Sequence, residues 1–296
     1  MEERKALERL RFLAPAAPLR SLIRCYVQRE AIAESTALVH PVPARATPIL
    51  EFVIAGLFEV HWCNRSLIEV PSRAVIVGLQ THRRVRLKTN GRLESFCIVF
   101  QPGGLYRPFS LPVHELTDHD YDARAVLGNW ISPLEARLSD CRSFEERART
   151  ADACMLCLAE PIAGPDSICT AAGEILNRCG EPSIGELASK AGLSLRQFER
   201  RFHDQVGMRP KLYARIARFE AALDAKARTR NRSWTEVAHA FGYHDQMHLI
   251  HDFEQFSGET PTGVLTELRR ASHDLIDPVR GGRPTAESPA APRIFL

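Results

Sequence analysis

The chain has 296 residues, 45% hydrophobic and 25% charged, which is ordinary globular composition with length enough for two domains. Lys and Arg number 39 against 36 Asp and Glu, a formal charge of +3, so bulk charge does not argue for nucleic acid and only local pattern can. No apolar run approaches the roughly 18 to 20 residues of a membrane span, and the amino-terminal MEERKALERLRF lacks an apolar signal core, which predicts a cytoplasmic location with no membrane partner.

From Thr36 to about Phe100 the sequence offers short Val-, Ile- and Phe-rich segments between turn formers: ALVHPV, ILEFVIAGLFEVHW, SLIEVPSRAVIVGL and VRLKTNGRLESFCIVF. The pattern predicts antiparallel β structure of about seven strands, a small barrel or sandwich. Asn90-Gly91 reads as a hairpin turn, because both central residues of a type I′ turn need positive φ. Within the basic stretch His82 to Lys88, which could bind an anion, basic and apolar residues alternate at Arg84, Val85, Arg86 and Leu87, as on a solvated strand face.

After Pro102-Gly103-Gly104 the spacing turns helical. Trp130, Leu134 and Leu138 recur at i, i+4, i+8, and a second helix starts near Ser143 and carries Met155, Leu156 and Leu158. Cys154-x-x-Cys157 lies in that apolar stretch without a second ligand pair, so it reads as packing rather than a metal or redox motif. The eight cysteines as a whole read as reduced and mostly buried. Pro161, Gly164 and Pro165 place a domain boundary, dividing a β-rich domain with trailing helices, 1–160, from an all-α domain, 161–272. The remaining 273–296, rich in Pro and Gly, is expected to be disordered. The fold class is α+β.

The C-terminal third repeats itself. Ser183, Glu186, Leu187, Ala188 and Gly192 recur as Ser233, Glu236, Val237, Ala238 and Gly242, and Phe202, Gly207 and Pro210 recur as Phe253, Gly258 and Pro261. Each copy opens with Ser-x-x-Glu, a capping box, followed by a short helix and a glycine suited to a left-handed turn. Ser194 and Asp245 then cap a longer helix, completing a helix-turn-helix whose second member can enter a DNA major groove.

In the first copy Leu195, Phe198, Phe202 and Val206 form the expected buried stripe, leaving Arg196, Glu199, Arg200 and His203 outward. Arginine there can pair bidentately with guanine or clamp phosphate. In the second, Leu249, Phe253 and Phe256 face inward and Gln246, Met247, Ile250 and His251 outward, suited to adenine and to thymine methyl groups. Pro210 starts a connector helix through Tyr213, Ile216, Phe219 and Leu223 to about Ala227, and Lys226, Arg228, Arg230 and Arg232 offer phosphate contacts before the second copy.

These anchors resemble the AraC/XylS family of transcription regulators: Ser194-(x)3-Phe198-x-Arg200-x-Phe202, Gly207-x-x-Pro210-x-x-Tyr213, Arg218-(x)3-Ala222, Val237-Ala238-(x)3-Gly242-Tyr243 and Phe253-(x)4-Gly258-x-Thr260-Pro261. Phe100-Gln101-Pro102-Gly103-Gly104 and Leu116-Thr117-Asp118 look like the sensor-type domain of a subset of such regulators. The resemblance implies a double helix-turn-helix reader of double-stranded DNA tethered to a sensing or dimerising domain, with a small-molecule effector, RNA polymerase and a second copy as further candidate partners. One departure is His251, where the family usually carries arginine, which implies a weaker or pH-dependent grip.

No His-Glu-x-x-His, Gly-x-Ser-x-Gly or phosphate-cradling glycine loop is present, so no catalytic residue, metal or cofactor is expected. The rival reading is a small-molecule-binding β-domain enzyme with a helical protein-interaction module, and a third is a regulator whose first domain only dimerises. The histidines His244, His248 and His251 read as DNA contacts or packing rather than metal ligands.

Overall fold

The computed structural model describes residues 7–159, 166–229 and 231–271. Its first part is one antiparallel sheet of eight strands: β1 Leu7–Leu13, β2 Ile23–Pro41, β3 Ile49–Ala55, β4 Phe58–Trp62, β5 Ile68–Glu69, β6 Ala74–Val77, β7 Val85–Phe100 and β8 Asp120–Asp122. The strands run in the order β1-β2-β7-β3-β6-β8, with β4 also on β7 and β5 on β4. No pairing joins the two ends among the described residues, so the expected barrel is an open sheet.

The long strands are bent rather than broken. Asn90-Gly91 makes no hairpin: Gly91, at φ +76°, lies inside the 16-residue β7, opposite a register shift in β2 between Ala33 and Leu38. Strand β3 pairs with one half of β7, from Ile49 opposite Val99 to Ala55 opposite Glu94, and β4 with the other, from Phe58 opposite Thr89 to Trp62 opposite Val85. Gly56 sits at that second bend with φ +78°, where a Cβ would stand 1.8 Å from the Arg92 carbonyl oxygen. A positive-φ dipeptide serves a hairpin or a bulge equally, and which one forms depends on the partner strands.

Helices α1 Tyr106–Phe109, α2 Ala123–Leu127, α3 Ile131–Asp140, α4 Phe144–Ala159 and α5 Ser167–Asn177 follow β7, with a 3-10 turn at Val113–Leu116 and β8 between α1 and α2. Phe144 of α4 meets Phe96 edge-on at 6.1 Å, and Phe96 stacks on Tyr26 at 5.6 Å, which seats the helix against the sheet. The boundary at Pro161 to Pro165 and the tail from 273 lie outside the described residues.

The repeat is explicit in the last six helices, α6 Ile184–Lys190, α7 Leu195–Val206, α8 Pro210–Arg228, α9 Trp234–Ala240, α10 Gln246–Ser257 and α11 Pro261–Ala271. Their starts pair as 184 with 234, 195 with 246 and 210 with 261. One buried core runs without interruption from Phe52 and Phe96 of the sheet through Leu116 to Phe198, Phe219 and Phe253 of the helices.

Two expectations are corrected by this packing. The stretch His82 to Lys88 is not merely solvated: the Arg83 side chain is only 7% exposed and pairs with Glu259 at 3.3 Å and with Glu267, and Arg86 reaches Glu267 at 3.2 Å, tying the sheet to α11. All eight cysteines are free thiols, but only Cys25, Cys97 and Cys141 are buried, whereas Cys63 and Cys157 are exposed. On α4 Ala151 and Met155 are buried while Ala153 and Cys157 are exposed, so one face of that helix stays in water.

Candidate nucleic-acid interface

Each helix-turn-helix is built from local signals. Gly192 and Gly242 take φ +68° and +67°, turning the chain between the two helices of each copy. Ser194 accepts the Gln197 amide at 3.3 Å while the Gln197 side chain accepts the Ser194 amide at 3.1 Å, a capping box on α7. Asp245 accepts the His248 amide at 2.7 Å at the start of α10, and that bond, with His244 beside it, holds the Asp245 carboxyl below its ordinary range. On α9 Ser233 and Glu236 form the expected reciprocal box. Ser183 makes no side-chain cap on α6, so the matching box expected in the first copy is not formed.

Aromatic packing decides which faces remain free. Phe202 meets Phe198 at 5.6 Å and Tyr213 of α8 edge-on at 5.4 Å, while Phe253 meets Phe219 of α8 at 4.8 Å and Trp234 at 5.3 Å. Arg196, Glu199 and Arg200 are left exposed on α7, and neither arginine has a carboxylate partner among the described residues. On α10 Gln246, Met247 and His251 are exposed, Met247 by 69%, and Ile250 is half-buried. Leu195, expected in the buried stripe, is 51% exposed, because the first residue of a helix extends past the core that its later turns cover.

His203 departs from the rest of its stripe. It is half-buried, its ring stacked on His114 at 4.6 Å, beside the 3-10 turn that leads out of the sheet. Among the basic residues before the second copy, Arg228 pairs with Asp224 at 3.0 Å and Lys226 donates to the Arg232 carbonyl, while Arg230 lies outside the described residues.

The connector α8 braces both copies. Arg215 donates to the fully buried Asp252 of α10 at 2.6 Å, and the Arg218 guanidinium lies over the Tyr243 ring at 5.5 Å. Burial, then the nearby Asp252, pushes the Tyr243 hydroxyl far above its ordinary range, so it stays a neutral phenol.

A small cavity lies in the hollow of the sheet. Its walls are apolar at Val42, Phe58 and Val85 and polar at Arg29, Arg45 and Gln80. Burial works against charge on Arg29, but Glu8 and Glu51 outweigh it and raise its pKa. Arg45 is different: among the described residues its guanidinium donates to the carbonyls of Thr47 at 3.0 Å and Gly78 at 3.5 Å, and burial lowers its pKa despite the pull of Glu220. Beside it the Ala46 amide donates to Glu220 Oε1 at 3.3 Å, and Glu220 belongs to α8. Sequence reading singled out neither Arg45 nor Glu220. The available signal was a lone acid inside the buried stretch Phe219 to Leu223, which a helix interior holds only against a partner.

A family model described as a helix-turn-helix domain matches residues 187–267, and one described as a domain of unknown function (DUF6597) matches residues 11–122. No curated protein matches the chain. Among solved structures, ToxT from Vibrio cholerae O395 is 7% identical, over 90% of this chain and 99% of its own, with a TM-score of 0.45. ToxT from Vibrio cholerae strain SCE256 with bound unsaturated fatty acid is 10% identical over 90% and 98%, with a TM-score of 0.43. The AraC-like transcriptional activator CuxR is 14% identical over 73% of this chain and 86% of its own, with a TM-score of 0.29.

Proposed function

We propose that this chain, a DNA-binding transcription regulator with an AraC-type helix-turn-helix domain at its C-terminus, reads two adjacent major grooves with α7 and α10. In this reading residues 161–272 form the DNA-binding domain and residues 1–160 the domain that modulates it. The observation that carries it is the pair of exposed arginines on α7, Arg196 and Arg200, without a carboxylate partner on the second helix of a duplicated unit. Unpaired guanidinium groups on such a face are placed for guanine O6/N7 and for phosphate. Glu199 beside them suits a cytosine amino group. The second helix offers a different surface, with Gln246 for adenine, Met247 and Ile250 for thymine methyl groups and His251 for an acceptor or phosphate. The 19-residue connector α8 is roughly 28 Å long, a length that suits successive grooves about 34 Å apart.

Modulation runs from the sheet to α8. A small molecule with an acidic group, seated in the cavity against Arg45, changes the electrostatic setting of Glu220 and so of the helix that spaces the two readers. Such a ligand acts only through a difference in affinity between competent and incompetent arrangements.

Replacing Arg200 with alanine is expected to cost about 1 to 3 kcal/mol of specific binding, and Arg196→Ala a similar or smaller amount. Gel-shift titrations on an operator selected from random sequence measure this, and wild-type affinity in both variants overturns the reading. Affinity for that operator is expected to fall steeply with salt, whereas a salt-insensitive failure to bind favours the enzyme with an interaction module.

A further inference from the structure

We infer that His114, His203 and Asp204 form a binding site for a divalent transition-metal ion, one that clamps the first recognition helix to the sheet-bearing half. The three come from two parts of the chain. His114 lies in the 3-10 turn Val113–Leu116, and His203 and Asp204 lie in the last turn of α7. One ligand atom from each falls within 4.8 Å of the other two, and no other such trio exists among the described residues.

His114 Nδ1 is 3.6 Å and His203 Nδ1 3.8 Å from the same carboxylate oxygen, Asp204 Oδ1. A tetrahedral ion with bonds of about 2.0 to 2.2 Å holds its ligand atoms roughly 3.3 to 3.6 Å apart, close to these separations, and one imidazole turns out of the stack so that both in-plane lone pairs reach the ion. His114 Nδ1 is shielded from solvent and has no hydrogen-bond partner, the condition of a nitrogen lone pair that an ion would satisfy.

The backbone on both sides is already held. Thr117, three residues beyond His114, donates to the carbonyl of Gly207, three residues beyond Asp204, at 2.6 Å. Gly207 packs so closely that an added Cβ would stand 3.0 to 3.1 Å from Leu79, Thr117 and Val113. Two segments fixed in this way present their ligands with little ordering left to do.

Two imidazoles and one carboxylate suit zinc, cobalt or nickel rather than calcium or magnesium, which take oxygen ligands. Three protein ligands leave a fourth position for water. Because the ligands span both halves of the molecule, the bound ion resists any motion that separates α7 from the sheet. It also takes His203 away from the outward stripe.

The test uses the full chain, stripped with chelator and kept reduced, titrated with Co²⁺ by visible absorption and with Zn²⁺ against a chromogenic chelator. One ion per chain is expected, with d–d bands of nitrogen and oxygen ligation. His114→Ala is expected to weaken binding by more than the roughly 10- to 100-fold lost with a supporting residue. Zn²⁺ should raise the melting temperature of the wild type and leave that of His114→Ala in place. Asp204→Asn serves the same comparison should His114→Ala fail to fold, and His61→Ala, away from the trio, should bind as the wild type does. Absence of saturable binding, wild-type affinity in the folded ligand variant, or a thiolate-to-cobalt charge-transfer band tracing the ion to the exposed cysteines overturns the site.

Discussion

In the first helix-turn-helix the recognition helix α7 ends against the sheet-bearing half, through Thr117 on the Gly207 carbonyl and His114 on His203. In the second, the end of α10 also meets that half, its Phe256 carbonyl accepting the Ala44 amide at 2.8 Å, but α10 is tied to the connector as well, by Arg215 on the buried Asp252. The position that matches Asp252 in the first copy is Arg201, which is exposed. The two copies share their glycines and aromatic cores and differ in their ties, so the same frame is coupled to different neighbours. Both copies touch the sheet-bearing half, the first through Thr117 and His114 and the second through Ala44 and Arg83, and the second adds a buried ion pair with α8. Their outward faces diverge in the same way, charged on α7 and mostly neutral on α10.

Cutting the tie of the second copy is the strongest way to break this contrast. Arg215→Ala leaves Asp252 buried without its cation and is expected to cost about 3 kcal/mol of stability in urea unfolding, the low end for such a pair because Arg215 is 30% exposed. Arg201→Ala at the matching position should stay within about 0.5 kcal/mol of the wild type. Equal losses in the two variants would mean that the copies are held alike.

The helix-ending glycines sharpen the comparison next. Gly258→Ala forces alanine into φ +69° at ordinary contact distance, 3.4 Å, from the Arg83 guanidinium, for about 1 to 2 kcal/mol. Gly207→Ala at φ +107° adds crowding against Leu79, Thr117 and Val113, and is expected to lose about 2 kcal/mol or more. A larger loss at Gly258 in thermal unfolding would contradict the tighter packing around Gly207.

The smallest difference lies in the caps. Ser233→Ala removes a formed capping box and is expected to cost about 1 kcal/mol, whereas Ser183→Ala removes no cap bond and should be nearly neutral. Helicity and midpoint by circular dichroism separate the two.

Much of the C-terminal half was legible because its signals are local. Capping side chains, glycines that turn left-handed and apolar residues at helical spacing act within one or two turns of chain, and repeating them twice made the helix-turn-helix pair plain. Exposure of Arg196 and Arg200 followed from the same spacing. The sheet was legible only in class. Strand β1 and the first part of β2 lie before the stretch that reads as β, and the bend at Asn90-Gly91 looks like a hairpin in any short window.

The sequence alone therefore determined the fold class and the duplicated helix-turn-helix, since these depend on backbone preference and periodicity within a few residues. Tertiary structure decided that the sheet stays open, that Arg83 and Arg86 clasp α11, that His203 turns to His114 and that Arg45 lies beside Glu220. Each of these depends on groups more than 80 residues apart in the chain or on strand pairing across the whole sheet. The energy of a buried charge or a shared ring contact depends on which distant group arrives beside it, and no local pattern encodes that.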